Sequence, residues 1–120
     1  MDKRHKLGRL GERRAARLLR RHGVRILERN WRCTIGEVDI IARDGITTVF
    51  VEVRSSARGY AGGPLYTVGA RKQRKLITLA ETWLRTHPMH RGSVRFDVIG
   101  VTKIAWNRYE LDWVKNAFVA

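Results

Sequence analysis

Apolar and polar positions change period several times along the chain, and each change marks an element. From Lys6 to His22, Leu7, Leu10, Leu18 and Leu19, with Ala15 and Ala16, fall on one side of a 3.6-residue repeat while arginines crowd the rest. That spacing predicts a basic amphipathic helix, closed by Gly23 as glycine closes helix C-termini. Val24 to Trp31 reads as a first strand and Glu37-Val38-Asp39-Ile40-Ile41-Ala42 as a second. Asp44-Gly45 is a turn signal, and Thr48 to Arg54, rich in Val and Phe, reads as a third strand forming a hairpin with the second. Ser55 to Pro64 carries Gly59, Gly62, Gly63 and Pro64 and predicts an irregular segment after a charged strand end, where functional loops often sit. A second helix spans Ala70 to Arg85, with Leu76, Leu79, Ala80, Trp83 and Leu84 on its apolar side and Pro88 and Gly92 ending it. Val94 to Val101 reads as a fourth strand, and Tyr109 to Val114 is a candidate fifth, joined around Asn107. Helix, three strands, helix, then one or two strands predict an α/β fold, a mixed central β-sheet flanked by α-helices.

Length and charge sharpen this picture. The 120 residues leave room for one domain with one core, and the 43% of hydrophobic residues mark a globular chain rather than a basic tail. Lys and Arg number 25 against 11 acids, a net charge of +14, far beyond what solubility asks of a small domain. Such an excess concentrates polyanions, either nucleic acid or an anionic membrane surface. Arginine dominates the basic set, and its fork binds phosphate bidentately, which favours nucleic acid. The membrane alternative finds little support: the basic helix lacks aromatic anchors, and no apolar run approaches spanning length. Cys33 is the single cysteine, so no intramolecular disulfide forms, and the basic start Met1 to Lys6 lacks the apolar stretch of a signal peptide. A cytoplasmic location is the expectation. His5, His22, His87 and His90 offer no zinc constellation with one thiol, and His87 and His90, flanking Pro88, read as surface residues of a loop.

The hairpin carries the sharpest chemical signal. Strand side chains alternate faces, so Glu52 and Arg54 point one way with Val51 and Val53 opposite, and Glu37 and Asp39 share a face with Val38 and Ile40 opposite. A two-residue loop pairs Arg43 with Ile46 and sets Glu52 across from Glu37, diagonal to Asp39. A four-residue loop pairs Arg43 with Thr48, and Asp39 then faces Glu52 directly. Either register clusters carboxylates, and like charges so placed call for a cation. A hard divalent ion such as magnesium meets that need, and so do ordinary salt bridges from Arg43, Arg54 or Arg32. The hairpin alone leaves both open.

Gly36-Glu37-Val38-Asp39-Ile40-Ile41-Ala42 followed by Val49-Phe50-Val51-Glu52-Val53-Arg54 resembles the core of the YraN-like family. These are small bacterial proteins predicted to be endonucleases and related to archaeal Holliday-junction resolvases. The resemblance runs nearly end to end. It takes in Gly8-Arg9-Leu10-Gly11-Glu12, Asn30-Trp31-Arg32-Cys33, Val68 to Leu76, Arg95-Phe96-Asp97-Val98 and Asn116-Ala117-Phe118. It implies a restriction-endonuclease-like fold whose acidic pair and Glu-x-Lys motif bind Mg2+ (or Mn2+) and hydrolyse phosphodiesters. Carried over, Asp39 and Glu52 resemble the metal ligands, with the Val53 carbonyl as another, and Glu12 resembles a supporting acid that holds water at the metal. Lys72 and Gln73 open the second helix, where they could meet a phosphate or simply face solvent.

One departure bears on turnover. The family's Glu-x-Lys is Glu52-Val53-Arg54 here; arginine keeps the charge but loses no proton in a protein, so it cannot replace a lysine base. Lys72, reaching over from the neighbouring helix, is the candidate substitute. Arg58 and Tyr60 in the glycine-rich stretch are further nucleic-acid candidates, Tyr60 by stacking on unpaired bases. Glu37 either supports the acidic site or balances Arg32, and Asp97 reads as a structural partner of Arg95. Trp31 reads as core, and Trp83, Trp106 and Trp113 as packing residues. The reading is a metal-dependent endonuclease of branched or otherwise non-standard DNA, and resolvase kinship is compatible with a homodimer. Its rival is a nucleic-acid-binding module that has lost catalysis through Arg54.

Overall fold

The computed structural model describes residues 3–57, 68–90 and 92–120, so Arg58 and Tyr60 lie outside the described residues. In chain order the elements are α1 (Lys3–Arg21), β1 (Arg25–Cys33), β2 (Gly36–Asp44), β3 (Thr47–Ala57), α2 (Ala70–Arg85), β4 (Ser93–Ala105) and β5 (Arg108–Phe118), with a short 3-10 turn at Pro88–His90. Among the described residues the strands form one sheet in the order β1-β2-β3-β4-β5. Every neighbouring pair is antiparallel except β3 and β4, which run parallel. Parallel strands need a long crossover, and α2 lies in it. The sheet is therefore mixed, as the element order predicts.

The two helices cover opposite faces. Ala15, Ala16 and Leu19 of α1 pack with Ile40, Ala42, Val49, Val51, Ile99 and Val101. Leu76, Leu79, Ala80 and Trp83 of α2 pack with Val38, Ile41, Phe50, Phe96 and Val98. The central strands are buried on both faces, which is why Val49-Phe50-Val51 and the stretch from Phe96 to Val101 read as near-continuous apolar runs. Among the described residues, no helix is long and apolar enough to cross a membrane.

Some sequence expectations change. The strands run longer than their apolar stretches: Ser55, Ser56 and Ala57 pair with Val101, Thr102 and Lys103, so the irregular segment starts later than Ser55. Ladder bonds use only backbone groups, and polar side chains do not interrupt them. His87 and His90 are not simple loop residues, because their rings stack on Trp83, with centroids 3.8 and 5.5 Å away. Trp83 and Trp113 do pack, Trp83 in the α2-side core and Trp113 against the α1-side cluster. Trp106 does not: it sits 86% exposed at the tip between β4 and β5.

One glycine explains how closely α1 lies on the sheet. A Cβ built on Gly11 would sit 2.0 Å from Ser55 Oγ and 3.2 Å from Ser55 Cβ, whereas at Gly8 it would meet nothing. The hydroxyl can turn aside but Cβ cannot, so a side chain at position 11 pushes α1 away from β3. Gly11→Ala is expected to lower stability by about 1–3 kcal/mol, the usual cost of overpacking. Gly8→Ala is expected to be neutral or slightly stabilising in urea unfolding. Equal effects at both positions would mean that the close approach carries no weight.

Candidate active site

The hairpin register decides which carboxylates meet. Arg43 pairs with Thr48 and Asp44 with Thr47, leaving Gly45 and Ile46 as the connection, with Gly45 at φ 61°. This is the register that directs Asp39 toward Glu52. The last paired residues are Ile40 and Val51, and Asp39 and Glu52 follow them on either strand. There the backbone ladder gives way to a side chain: the Val53 N–H donates to Asp39 Oδ2 at 2.8 Å. The strands open at this point into a notch holding both acids.

The electrostatics of the notch are unbalanced. Burial pushes the Asp39 carboxyl up to about 8, helped by the negative charge of Glu52 and by a hydrogen bond between the two acids. The Val53 N–H opposes this, and Glu12 adds to it from α1. Glu12 is itself raised by burial, offset by a hydrogen bond from the Asn30 side chain. Asn30 takes φ 54°, a left-handed backbone that asparagine tolerates better than most residues. Its role in holding Glu12 has no local sequence signal beyond an asparagine inside an otherwise regular strand.

Two of the three candidate salt-bridge arginines, Arg43 and Arg32, are engaged elsewhere. Arg43 Nη1 donates to Thr48 Oγ1 at 2.6 Å. Arg32 Nε pairs with Glu37 Oε2 at 2.9 Å, so Glu37 balances Arg32. Lys72 reaches the pair, its Nζ lying 3.4 Å from Glu52 Oε2. Residues at the start of α2 face the notch because α2 covers the sheet side to which Glu52 points. Gln73 is committed locally, its Nε2 donating to the Val68 carbonyl at 2.8 Å across the first turn. Arg54 is half-buried and pairs in the ladder with Gly100. Beside Glu12, a cleft of about 510 Å³ opens between α1 and β1, its rim carrying Lys6, Arg9, Arg13 and Arg29.

The oxygen donors fit a hard divalent ion better than a soft one. Among the described residues no group of three or more His, Cys, Asp or Glu is placed to hold a metal, so an ion here would rely on backbone carbonyl, water and phosphate for its other ligands. That matches the way magnesium is usually held, by one or two carboxylates plus substrate phosphates.

Fold and site together define a class: an α/β protein with a paired-carboxylate notch on a strongly basic chain. The chain belongs to the uncharacterised protein family UPF0102, whose model matches residues 11–101. It is 42% identical to a UPF0102 protein of Ectopseudomonas mendocina, with all of both chains covered. It is 44% identical to one from Geobacter metallireducens, over 93% of this chain and 91% of the relative. With one from Anaeromyxobacter dehalogenans it shares 48% identity over 84% of this chain and 75% of the relative.

Proposed function

We propose that this protein is a metal-dependent endonuclease with a restriction-endonuclease-like site, acting on DNA and above all on branched or otherwise non-standard DNA. The observation that carries the reading is the notch: Asp39 and Glu52 come together where β2 and β3 part, with Lys72 Nζ 3.4 Å from Glu52. The net charge of +14 supplies the attraction for a polyanion, and the cationic cleft beside Glu12 gives it a place to lie.

In this reading Asp39, Glu52 and the Val53 carbonyl hold magnesium or manganese, which when bound supplies Lewis acidity toward a phosphodiester. Glu12, steadied by Asn30, orients water beside Asp39. Lys72 takes the place of the missing motif lysine: its ammonium lies 3.4 Å from Glu52 Oε2, where it can position a phosphate or a water beside the pair. Arg54 keeps a positive charge for the phosphate. A junction presents two strands for cutting, so the active form is a symmetric pair of copies.

The test is single-turnover cleavage of labelled branched, single-stranded and duplex DNA, with and without magnesium or manganese. Lys72→Ala is expected to slow cutting by about 100-fold or more, the scale of an acid–base or orienting group. Arg54→Lys should be nearly silent. If Arg54→Lys accelerates cutting and Lys72→Ala does not slow it, Lys72 is the wrong substitute. If wild type cuts no form of DNA with either metal, the enzyme reading gives way to a nucleic-acid-binding module.

A further inference from the structure

Among the described residues Trp106 has no packing role to explain it. At 86% exposure it is the most exposed large apolar side chain among the described residues, and it sits at the turn of the hairpin formed by β4 and β5. Exposed tryptophans are costly in water, and a hairpin tip needs only turn chemistry, which Asn107 with φ 58° already provides.

The tip is held in place. Arg14 Nη2 of α1 donates to Asn107 Oδ1 at 3.1 Å, and the same guanidinium lies 4.7 Å from the centre of the Tyr109 ring. The aromatic surface is thus presented on a braced turn, with less conformational freedom to lose when something stacks on it. Its surroundings are cationic. Arg14 lines a hollow of about 210 Å³ with Arg13 and Arg17, and Arg13 also lines the larger cleft that Glu12 joins to Asp39. A run of guanidinium groups therefore leads from the turn that carries the indole to the cleft lined by Glu12.

We infer that Trp106 is a stacking site for an unpaired base, on a nucleic-acid strand whose phosphates follow the α1 arginines toward the notch. Aromatic faces interleaved with cations are the means by which proteins hold single strands without reading sequence, since every base has a π-face. A base stacked inside a duplex does not offer that face, so the site selects nucleic acid with an unpaired arm. This rests on the nucleic-acid part of the proposed function and narrows its substrate. Glu52 pairs with Val98, and Trp106 lies eight residues further along, roughly 26 Å at about 3.3 Å per residue. Trp106 accordingly meets a nucleotide well away from the bond to be cut, and acts on binding rather than on chemistry.

The experiment compares wild type, Trp106→Ala, Trp106→Tyr and Arg13→Gln/Arg17→Gln for binding to a labelled oligothymidylate and to a blunt duplex of equal length. Trp106→Ala should weaken single-strand binding about 10-fold and leave duplex binding within about twofold. Trp106→Tyr should recover most of the loss. Neither should change the salt dependence, whereas the arginine pair should flatten it by about 0.7 for each phosphate of the single strand that is no longer neutralised. Equal loss on both ligands, no loss on either, or no binding of the oligothymidylate by wild type would overturn the inference. If wild type binds with this selectivity and never cuts, the stacking site stands and the nuclease reading falls.

Discussion

Asp39→Asn is expected to yield a protein that is more stable and inactive. Burial beside Glu52 raises the Asp39 carboxyl from 3.8 to about 8, so the folded chain holds a proton that the unfolded chain releases. Below pH 4 both states are protonated and nothing is lost. From pH 4 to about 8 the unfolded state is favoured progressively, and above that the penalty is constant. At about 1.4 kcal/mol per tenfold in proton affinity, the penalty amounts to several kcal/mol. Asparagine removes it while keeping the contacts: its oxygen accepts from the Val53 N–H and its amide donates to Glu52, as the protonated acid does. Melting curves from pH 4 to 9 should show wild type and variant together at the acid end. They should separate by about 20 °C at pH 8, given about 4 °C per kcal/mol for a chain of this size. Divalent-ion binding and metal-dependent cutting should be lost, because an amide oxygen is a weak substitute for a carboxylate. Melting temperatures that run parallel across the whole range would mean that Asp39 is not strained by its surroundings.

The opposite result is expected on β4. Asp97 is buried and accepts four hydrogen bonds, from Arg95 Nε at 2.9 Å, Arg95 Nη2 at 3.0 Å, Trp113 Nε1 at 2.9 Å and the Asn116 N–H at 2.9 Å. Arg95 also reaches Asp44 at 3.0 Å, tying β4 to the end of β2. The ladder between β4 and β5 slips at this place: Val98 pairs with Val114 but Phe96 with Phe118, and the Asp97 carboxylate fills the irregularity. Asp97→Ala strips the Arg95, Trp113 and Asn116 donors of their acceptor and leaves Arg95 without its closest counter-charge, a change that costs about 3–5 kcal/mol in buried pairs. Urea unfolding should show that loss, with Asp97→Asn intermediate. A cost below about 1 kcal/mol would show that water replaces the carboxylate with ease.

The elements differ in how plainly the sequence announces them. Ala70 to Arg85 is found with the expected bounds, because a 3.6-residue apolar repeat ends against Pro88 and leaves few alternatives. The ends of β3, β4 and β5 are less visible, since Ser55, Lys103 and Lys115 carry no apolar signal and belong to the sheet through main-chain pairing. Asp39 and Glu52 are legible as a pair because both even registers of one short hairpin bring them close. Lys72 is legible only as a candidate: its distance from Glu52 depends on how a crossover helix packs, which no local pattern encodes. The role of Trp106 is invisible in the same way. A tryptophan one residue beyond a strand reads as packing until the partner strand is known to turn back at that very point.

The hairpin origin of the acidic pair sets an order of assembly. Chains emerge N-terminus first, and a hairpin closes in about 1–10 μs. Asp39 and Glu52 therefore meet as soon as β3 is available. Pairing of β3 with β4 is parallel and non-local, so it follows only after α2 has formed the crossover, and such closures are the slow ones. A nascent chain that has reached the end of β3 carries both acids but neither Lys72 nor the strand that covers the far edge of β3. The counter-charge of the notch arrives only after its two acids have met.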